Sequence, residues 1–377
     1  MQAVMLLAGE GTRMHPLTYT KPKPLLKIAG QTILEHNLEN LKRNGIQDVT
    51  LVVGYLQEEI KRFLENAREF KFNFVLQNDQ LGTGHALLQA KDFIKDDNFT
   101  VIYGDDLYHY EDIKKTLNND LCVTAKEVTN PGKFGVFTLE NNFVKDLIEK
   151  PDEPISNLAN TGLYVLNKAI FKSLQALEKS KRNEFELTDA ILHLSKENSI
   201  KCEITNNWIP IGYPWDLVTA NEIKMRELDS ITVHDTAFVG KNVTIEGSVK
   251  IGRNSEIKNG AYIEGPVMIG DNCVIGPNCY LRPDSVIGDN CRIGNGVEIK
   301  NTIVGDETKI KHLSYVGDSV IGDNCNLGAG TITANIRHDN KTIRVIVKGN
   351  KVDTGRRKFG VVMGDHTKTG VNTSIYP

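Results

Sequence analysis

The chain has 377 residues, of which 40% are hydrophobic and 25% charged, with a formal net charge of −3. That length exceeds one typical core and predicts two or three domains at about 150 residues each, and the near-neutral balance excludes binding to nucleic acid or anionic membrane by bulk charge. Any phosphate ligand must therefore be met by local groups. No apolar run reaches the roughly 18 residues of a membrane span, and Met1 leads into the strand-like Ala3-Val-Met-Leu-Leu-Ala-Gly9 without a basic leader, so a cytoplasmic protein is expected. The six cysteines show no CxxC or Cys/His metal spacing.

From residue 1 to about 225, short apolar runs at 3–9, 48–55 and 99–106 alternate with amphipathic segments such as 33–45. The alternation predicts an α/β domain on a largely parallel sheet, with ligands gathered at the carboxyl ends of its strands. Leu7-Ala-Gly-Glu-Gly-Thr-Arg-Met14 follows the first strand, and Lys21-Pro-Lys-Pro24 comes soon after. Glycines let a backbone turn closely around phosphate and present its N–H groups, while Arg13 and a lysine neutralise charge. No Gly-Lys-Ser/Thr follows, so this is not a Walker loop. Further on lie Gln77-Asn-Asp-Gln-Leu-Gly-Thr-Gly-His85 and Tyr103-Gly-Asp-Asp106, the latter closing an apolar strand. Carboxylates suit Mg²⁺, although two aspartates at a strand end, read alone, make only a polar turn. A helix over 214–229 closes this half.

The period then changes. Aliphatic residues recur every six positions from Val233 and Val239 through Ile245, Ile251, Ile257 and onward to Ile299, and resume with small slips at Val304, Ile310, Val316, Ile321 and Leu327. This hexapeptide rhythm predicts a parallel β-helix, in which each coil needs neighbours to bury its core. Cys273, Cys279, Cys291 and Cys325 each fall four residues after an aliphatic position, where other repeats carry Ala237, Ser255, Ala261 or Ser285. Small buried side chains are expected there. Cys122 and Cys202 carry no readable signal.

The Gly-x-Gly-Thr-Arg and Pro-Lys elements resemble those of the sugar-1-phosphate nucleotidylyltransferases. The resemblance implies Arg13 and Lys23 as catalytic groups, with Lys21 a solvated neighbour. It places Leu7, Ala8, Gly9, Gly11, Thr12, Gln77, Gly82 and Thr83 around the nucleotide, with UTP or dTTP fitting better than a purine nucleotide. It puts Asp105 on Mg²⁺, and Gly135, Glu149 and Asn160 at the sugar phosphate. Relatives often carry an Asp two residues before the Gly of a motif like Trp208-Ile-Pro-Ile-Gly-Tyr-Pro-Trp215; Pro210 stands there, leaving the second metal carboxylate open, with Asp106 as its substitute.

The repeats resemble the left-handed β-helix acyltransferases, in particular the acetyltransferase half of the bifunctional N-acetylglucosamine-1-phosphate uridyltransferase and glucosamine-1-phosphate acetyltransferase family. The motifs are Tyr280-Leu-Arg-Pro283, Val297-Glu-Ile-Lys300, Lys311-His-Leu-Ser-Tyr-Val-Gly-Asp318 and Asp323-Asn-Cys-Asn-Leu-Gly-Ala-Gly-Thr-Ile-Thr333. On this resemblance His312 is the catalytic base, Arg282, Lys300, Tyr315 and Asn326 hold the sugar phosphate, and Ala329, Asn335, Lys341 and Gly364 contact acetyl-CoA, with Arg356 or Arg357 either a further contact or part of a solvated basic loop. The family pattern fades after Asn335-Ile336, where Val352–Lys358 replaces the simpler repeat. The implied architecture is α/β: a Rossmann-like nucleotidyltransferase domain over 1–226, then a left-handed parallel β-helix over 231–377 that lacks terminal coils and assembles a homotrimer. Two other readings stay open. One is a glucose-1-phosphate thymidylyl- or uridylyltransferase with a structural β-helix, the other a non-catalytic regulatory scaffold.

Overall fold

In the computed structural model, which describes residues 1–377, the chain clusters into two units. The first holds Met1–Glu10, Pro22–Leu25 and Ile33–Pro210; the second holds Gly11–Lys21, Leu26–Thr32 and Ile211–Pro377. The grouping does not follow a single cut near 226–231, because two short early segments and the helix Pro214–Met225 cluster with the repeats.

In the first unit, Ala3–Leu6 is apolar throughout and buried throughout, as a strand covered on both faces must be. It pairs in parallel with Asp48–Val53 on one side and Asn98–Tyr103 on the other, and Lys71–Leu76 extends the same arrangement. Helix Ile33–Arg43 buries Ile33, Leu34, Leu38 and Leu41 along one face. It stops at Gly45, whose left-handed φ of 76° would suit few other residues. There the Gly45 N–H reaches the Lys42 carbonyl at 2.9 Å and the Ile46 N–H reaches the Leu41 carbonyl at 3.0 Å, closing the helix end. 

Beyond Asn98–Tyr103 the sheet stops being parallel. Leu158–Asn167 runs antiparallel to that strand and to Cys122–Glu127, and the hairpin Gly135–Glu140/Phe143–Glu149 joins the far edge. The expected parallel sheet is therefore one side of a mixed one. The hairpin turns on Asn141-Asn142, both at positive φ (51° and 68°), the geometry whose twist suits antiparallel strands. At the carboxyl ends of the parallel strands sit Leu7–Gly9, Gln77 and Gly104–Asp106.

In the second unit the hexapeptides form three sheets of short parallel strands, consistent with a left-handed β-helix. Thr232, Lys250, Met268 and Val286 are partners in turn, 18 residues (three hexapeptides) apart; Val286, Ile303 and Val320 follow at 17. The inward aliphatic residues from Ile251 to Ile299 are buried, while Val233 and Val239 of the first coil, stacked on one side only, are exposed. One inner ladder explains three of the cysteines. Ser255 Oγ donates to the Gly270 carbonyl at 2.7 Å, Cys273 Sγ to Gly288 at 3.0 Å, Cys291 Sγ to Gly305 at 3.1 Å, Thr308 Oγ1 to Gly322 at 2.9 Å and Cys325 Sγ to Gly364 at 3.3 Å. Each position needs a small donor aimed at the next coil. All six cysteines are buried and unpaired, including Cys122 and Cys202 in the mixed sheet.

The coil after Val320 is interrupted: its strand partner is Val362. The intervening residues form a hairpin, Arg344–Val347 with Asn350–Asp353, turning on Lys348-Gly349 at φ 50° and 78°. No helix is long and apolar enough to cross a membrane.

Candidate active sites

In the first unit the glycine loop, the base loop and the Asp pair come together. The Gln80 side-chain amide donates to the Ala8 carbonyl at 3.0 Å, and a Cβ on Gly104 would strike Leu7. Gly9 faces open space. Gln77 is buried, its Nε2 donating to the Gly82 carbonyl at 3.1 Å and lying 3.0 Å from His85 Nδ1. Gly82 sits at φ 101° against Phe185, where a side chain has no room, and Thr83 opens the following helix while accepting the Leu187 N–H at 3.1 Å. Lys23 is buried, and its ammonium donates to Asp105 Oδ2 at 2.8 Å and stands 3.8 Å from Asp106 Oδ1. Asp106 is also held by the Trp208 indole N–H at 3.2 Å.

Three candidates distant in sequence meet at one point. Gly135 is the register partner of Glu149, and a Cβ on Gly135 would lie 2.9 Å from Glu149 Oε2, 3.0 Å from Thr188 Cγ2 and 3.3 Å from Asn160 Cβ. The missing side chain is therefore a cradle. Asn160 Nδ2 donates to the Tyr164 hydroxyl at 2.6 Å, and Glu149 is 3.5 Å from Arg182. Burial pushes the Tyr103 phenol beside them well above its usual pKa, so it stays neutral and able to donate. Thr188, missed in the sequence, is fully buried here with an unpartnered hydroxyl. Within Glu186-Leu-Thr-Asp189 it reads only as a helix start.

In the second unit, Gly11 at φ 64° opens the short turn Thr12–Met14. Arg13 is exposed, its guanidinium 5.3 Å from the centroid of the Tyr213 ring. Lys21 is not a solvated neighbour: its side chain is 20% exposed and paired with both Asp323 and Asp365.

Farther along the repeats, Lys300 and Asn335 meet on an aspartate that sequence reasoning passed over, and Asn335 links it to Tyr315. Asp318 is buried, and its carboxylate accepts from Lys300 Nζ at 3.2 Å, from Asn301 Nδ2 at 2.9 Å and from Asn335 Nδ2. Asn335 also donates to the Tyr315 hydroxyl at 3.1 Å, and both lie over Gly317, where a Cβ would come within 2.5 Å of that hydroxyl. Arg282 pairs with Glu298 at 2.8 Å while its buried Nε has no partner. His312 ends the strand Lys309–His312, exposed, its imidazole making no hydrogen bond within the chain, with Leu313 beside it 65% exposed. Asn326 is exposed, Ala329 partly so, and Lys341 lies exposed on the loop before the inserted hairpin. Gly364 is packed on Pro16, where a Cβ would meet it at 3.0 Å. Arg356 is not a solvated basic residue, since Glu222 and Thr219 of the helix Pro214–Met225 hold it, the latter at 2.7 Å; Arg357 is exposed.

A nucleotidyl transferase family model matches residues 2–227, a model of six bacterial transferase hexapeptide repeats matches 230–265, and a GMPPB C-terminal domain model matches 263–369. Over its whole length the chain is 46% identical to the bifunctional protein GlmU of Methanococcus maripaludis strain C7, covering 90% of that protein. It is 43% identical to the bifunctional protein GlmU of Methanocaldococcus jannaschii, covering 91%. The chain belongs to the family of bifunctional nucleotidyltransferase/acetyltransferases. This nucleotidyltransferase/acetyltransferase is also 40% identical over its whole length to the bifunctional sugar-1-phosphate nucleotidylyltransferase/acetyltransferase of Sulfurisphaera tokodaii, covering 93% of it. Among solved structures, a UDP-glucose pyrophosphorylase complexed with UDP-glucose covers 60% of the chain and 98% of its own length, with a TM-score of 0.55 and 26% identity.

Proposed function

We propose that the chain acetylates glucosamine-1-phosphate with acetyl-CoA, with galactosamine-1-phosphate as a second acceptor, and couples N-acetylglucosamine-1-phosphate to UTP, releasing pyrophosphate. The meeting of Gly135, Glu149 and Asn160 around one small cradle is the observation that carries the sugar-phosphate assignment.

In nucleotidyl transfer, a phosphate oxygen of the sugar-1-phosphate attacks the nucleotide's α-phosphorus in line, and the bond to pyrophosphate breaks. Leu7, Ala8, Gly9, Gly11 and Thr12 bring backbone donors to the phosphates, and Arg13 and Lys23 answer the charge that builds there. Gln77, Gly82 and Thr83 read the base of UTP or dTTP. No group of three or more His, Cys, Asp or Glu side chains forms a ready metal cage. Asp105 nevertheless fits Mg²⁺: its carboxylate is 45% exposed and only one oxygen is engaged, by Lys23. Mg²⁺ commonly takes one or two carboxylates together with substrate phosphates and water, and supplies charge neutralisation at those phosphates. Asp105 would hold it.

In acetyl transfer the acceptor ammonium must lose a proton before its nitrogen can attack the thioester. His312 takes that proton, as imidazole is suited to do near neutral pH. The nitrogen then bonds to the acetyl carbon as the carbon–sulfur bond breaks and free coenzyme A leaves. Arg282 and Lys300 hold the phosphate, Tyr315 and Asn326 the sugar, and Ala329, Asn335 and Lys341 the coenzyme. An exposed His312 beside an exposed Leu313 suits a site finished by a neighbouring copy in a homotrimer.

The test is to follow pyrophosphate release from UTP, dTTP and ATP with N-acetylglucosamine-1-phosphate or glucose-1-phosphate, and thiol release from acetyl-CoA with each aminosugar phosphate. Pyrophosphate is expected with the pyrimidine nucleotides, and thiol with the aminosugars. Pyrophosphate without thiol would make the β-helix structural; neither product would favour a scaffold.

A further inference from the structure

Successive coils present an aspartate at the same corner, and each engages the next. The Asp289 N–H donates to Asp306 Oδ1 at 2.9 Å, the Asp306 N–H to Asp323 Oδ1 at 2.9 Å and the Asp323 N–H to Asp365 Oδ1 at 2.7 Å. The inserted hairpin does not break this ladder, because the coil resumes in register at Val362. With Oδ1 of Asp323 and Asp365 committed to the backbone, their Oδ2 atoms are left for other donors. Lys21 takes both, at 3.2 Å from Asp365, and Thr20 Oγ1 donates to Asp365 as well. Lys27 takes the preceding rung, Asp306, at 2.7 Å. Burial works against the charge of each lysine, yet the aspartates outweigh it and hold both amines above their usual pKa.

The tethered segment is the one that carries Arg13. Thr18 Oγ1 donates to the Gly11 carbonyl at 2.9 Å, the Met14 N–H reaches the same carbonyl at 2.8 Å, and His15 stacks on Tyr19 at 4.1 Å between centroids. Pro16 rests on Gly364. The segment is therefore cross-tied from Gly11 down to a foot at Thr20 and Lys21. In the chain, the two ladder-bound lysines 21 and 27 flank Lys23.

We propose that Asp323 and Asp365, through Lys21, are positioning residues for nucleotidyl transfer: the aspartate ladder fixes the Gly11–Lys21 segment so that Arg13 is pre-set for the nucleotide phosphates. This rests on the nucleotidyl-transfer reading given above. It gives the β-helix a part in the first reaction that is separate from acetyl transfer. Lys21 itself touches no reacting group.

The test compares the whole chain with Lys21→Met, Asp323→Asn, Lys21→Arg and the exchange Lys21→Asp with Asp323→Lys, following pyrophosphate and thiol release in the same samples. Lys21→Met and Asp323→Asn are expected to lower kcat for pyrophosphate release about tenfold or more, as displaced catalytic groups do, with thiol release unchanged. Lys21→Arg and the exchange are expected to recover most of the loss. Unaltered pyrophosphate kinetics in Lys21→Met would overturn the proposal, and so would equal loss of both activities with no recovery by arginine, which would make the cluster merely structural. A parent chain that releases no pyrophosphate would sink the nucleotidyl-transfer reading instead.

Discussion

Replacing Asp318 by alanine removes the one acceptor shared by three side chains. Lys300 at 3.2 Å and Asn301 at 2.9 Å both lose it, together with Asn335, while Asp318 itself is only 1% exposed. Breaking a buried ion pair from one side costs about 3–5 kcal/mol. Lys300 retains 20% exposure and can turn its ammonium to water, which favours the lower end of that range. If about half of roughly 3 kcal/mol is lost as positioning of Lys300 and Asn335, acetyl transfer falls about tenfold in kcat/KM, at about 1.4 kcal/mol per factor of ten. The assay is thiol release from acetyl-CoA over a range of glucosamine-1-phosphate, with pyrophosphate release as the internal control. Asp318→Asn, which keeps the shape and one acceptor, is expected to fall between parent and alanine. Full acetyl transfer with an unchanged melting temperature in Asp318→Ala would refute the reasoning.

Gly135→Ala places a methyl 2.9 Å from Glu149 Oε2 and 3.0 Å from Thr188 Cγ2; KM for the sugar phosphate in pyrophosphate release is expected to rise about tenfold, with thiol release unaffected. The thiols of Cys122, Cys202 and Cys279 are pushed by burial up to about 12 from an ordinary value of 9.0. Between those values the unfolded chain loses protons that the folded chain keeps, so this stabilisation is complete below pH 9 and is lost as pH rises toward 12. Urea midpoints at pH 8 and pH 10 should show the fall, and thiol reagents should leave the native protein unlabelled at pH 8.

The strongest periodicities were the most legible. Inward aliphatic residues six apart led directly to the stacked coils, and the small residues four positions later led to the buried Ser, Cys and Thr ladder. In the nucleotidyl half, Leu7–Gly9, Gln77 and Asp105 could be placed from the sequence because each follows an apolar strand, and each lies just past the end of one. What escaped depends on partners distant in the chain. Lys21 reads as solvated, and Arg356 stays open between a coenzyme contact and a solvated loop, because nothing nearby shows that Asp323, Asp365 or Glu222 will meet them. Asp318 only closes the motif Lys311–Asp318, with no partner in view, and Thr188 reads like the start of a helix. Two hairpins were open to closer reading: Arg344–Asp353 alternates around Lys348-Gly349, and Gly135–Glu149 turns on Asn141-Asn142. The second of these lies in the half of the sheet that is not parallel.

The central claim is that one chain carries two separate active sites, and His312→Ala tests it most directly. Thiol release from acetyl-CoA with glucosamine-1-phosphate and pyrophosphate release from UTP with N-acetylglucosamine-1-phosphate are measured side by side in parent and variant. The account predicts loss of thiol release with pyrophosphate release intact. Persistent thiol release, or loss of both products together, would contradict it.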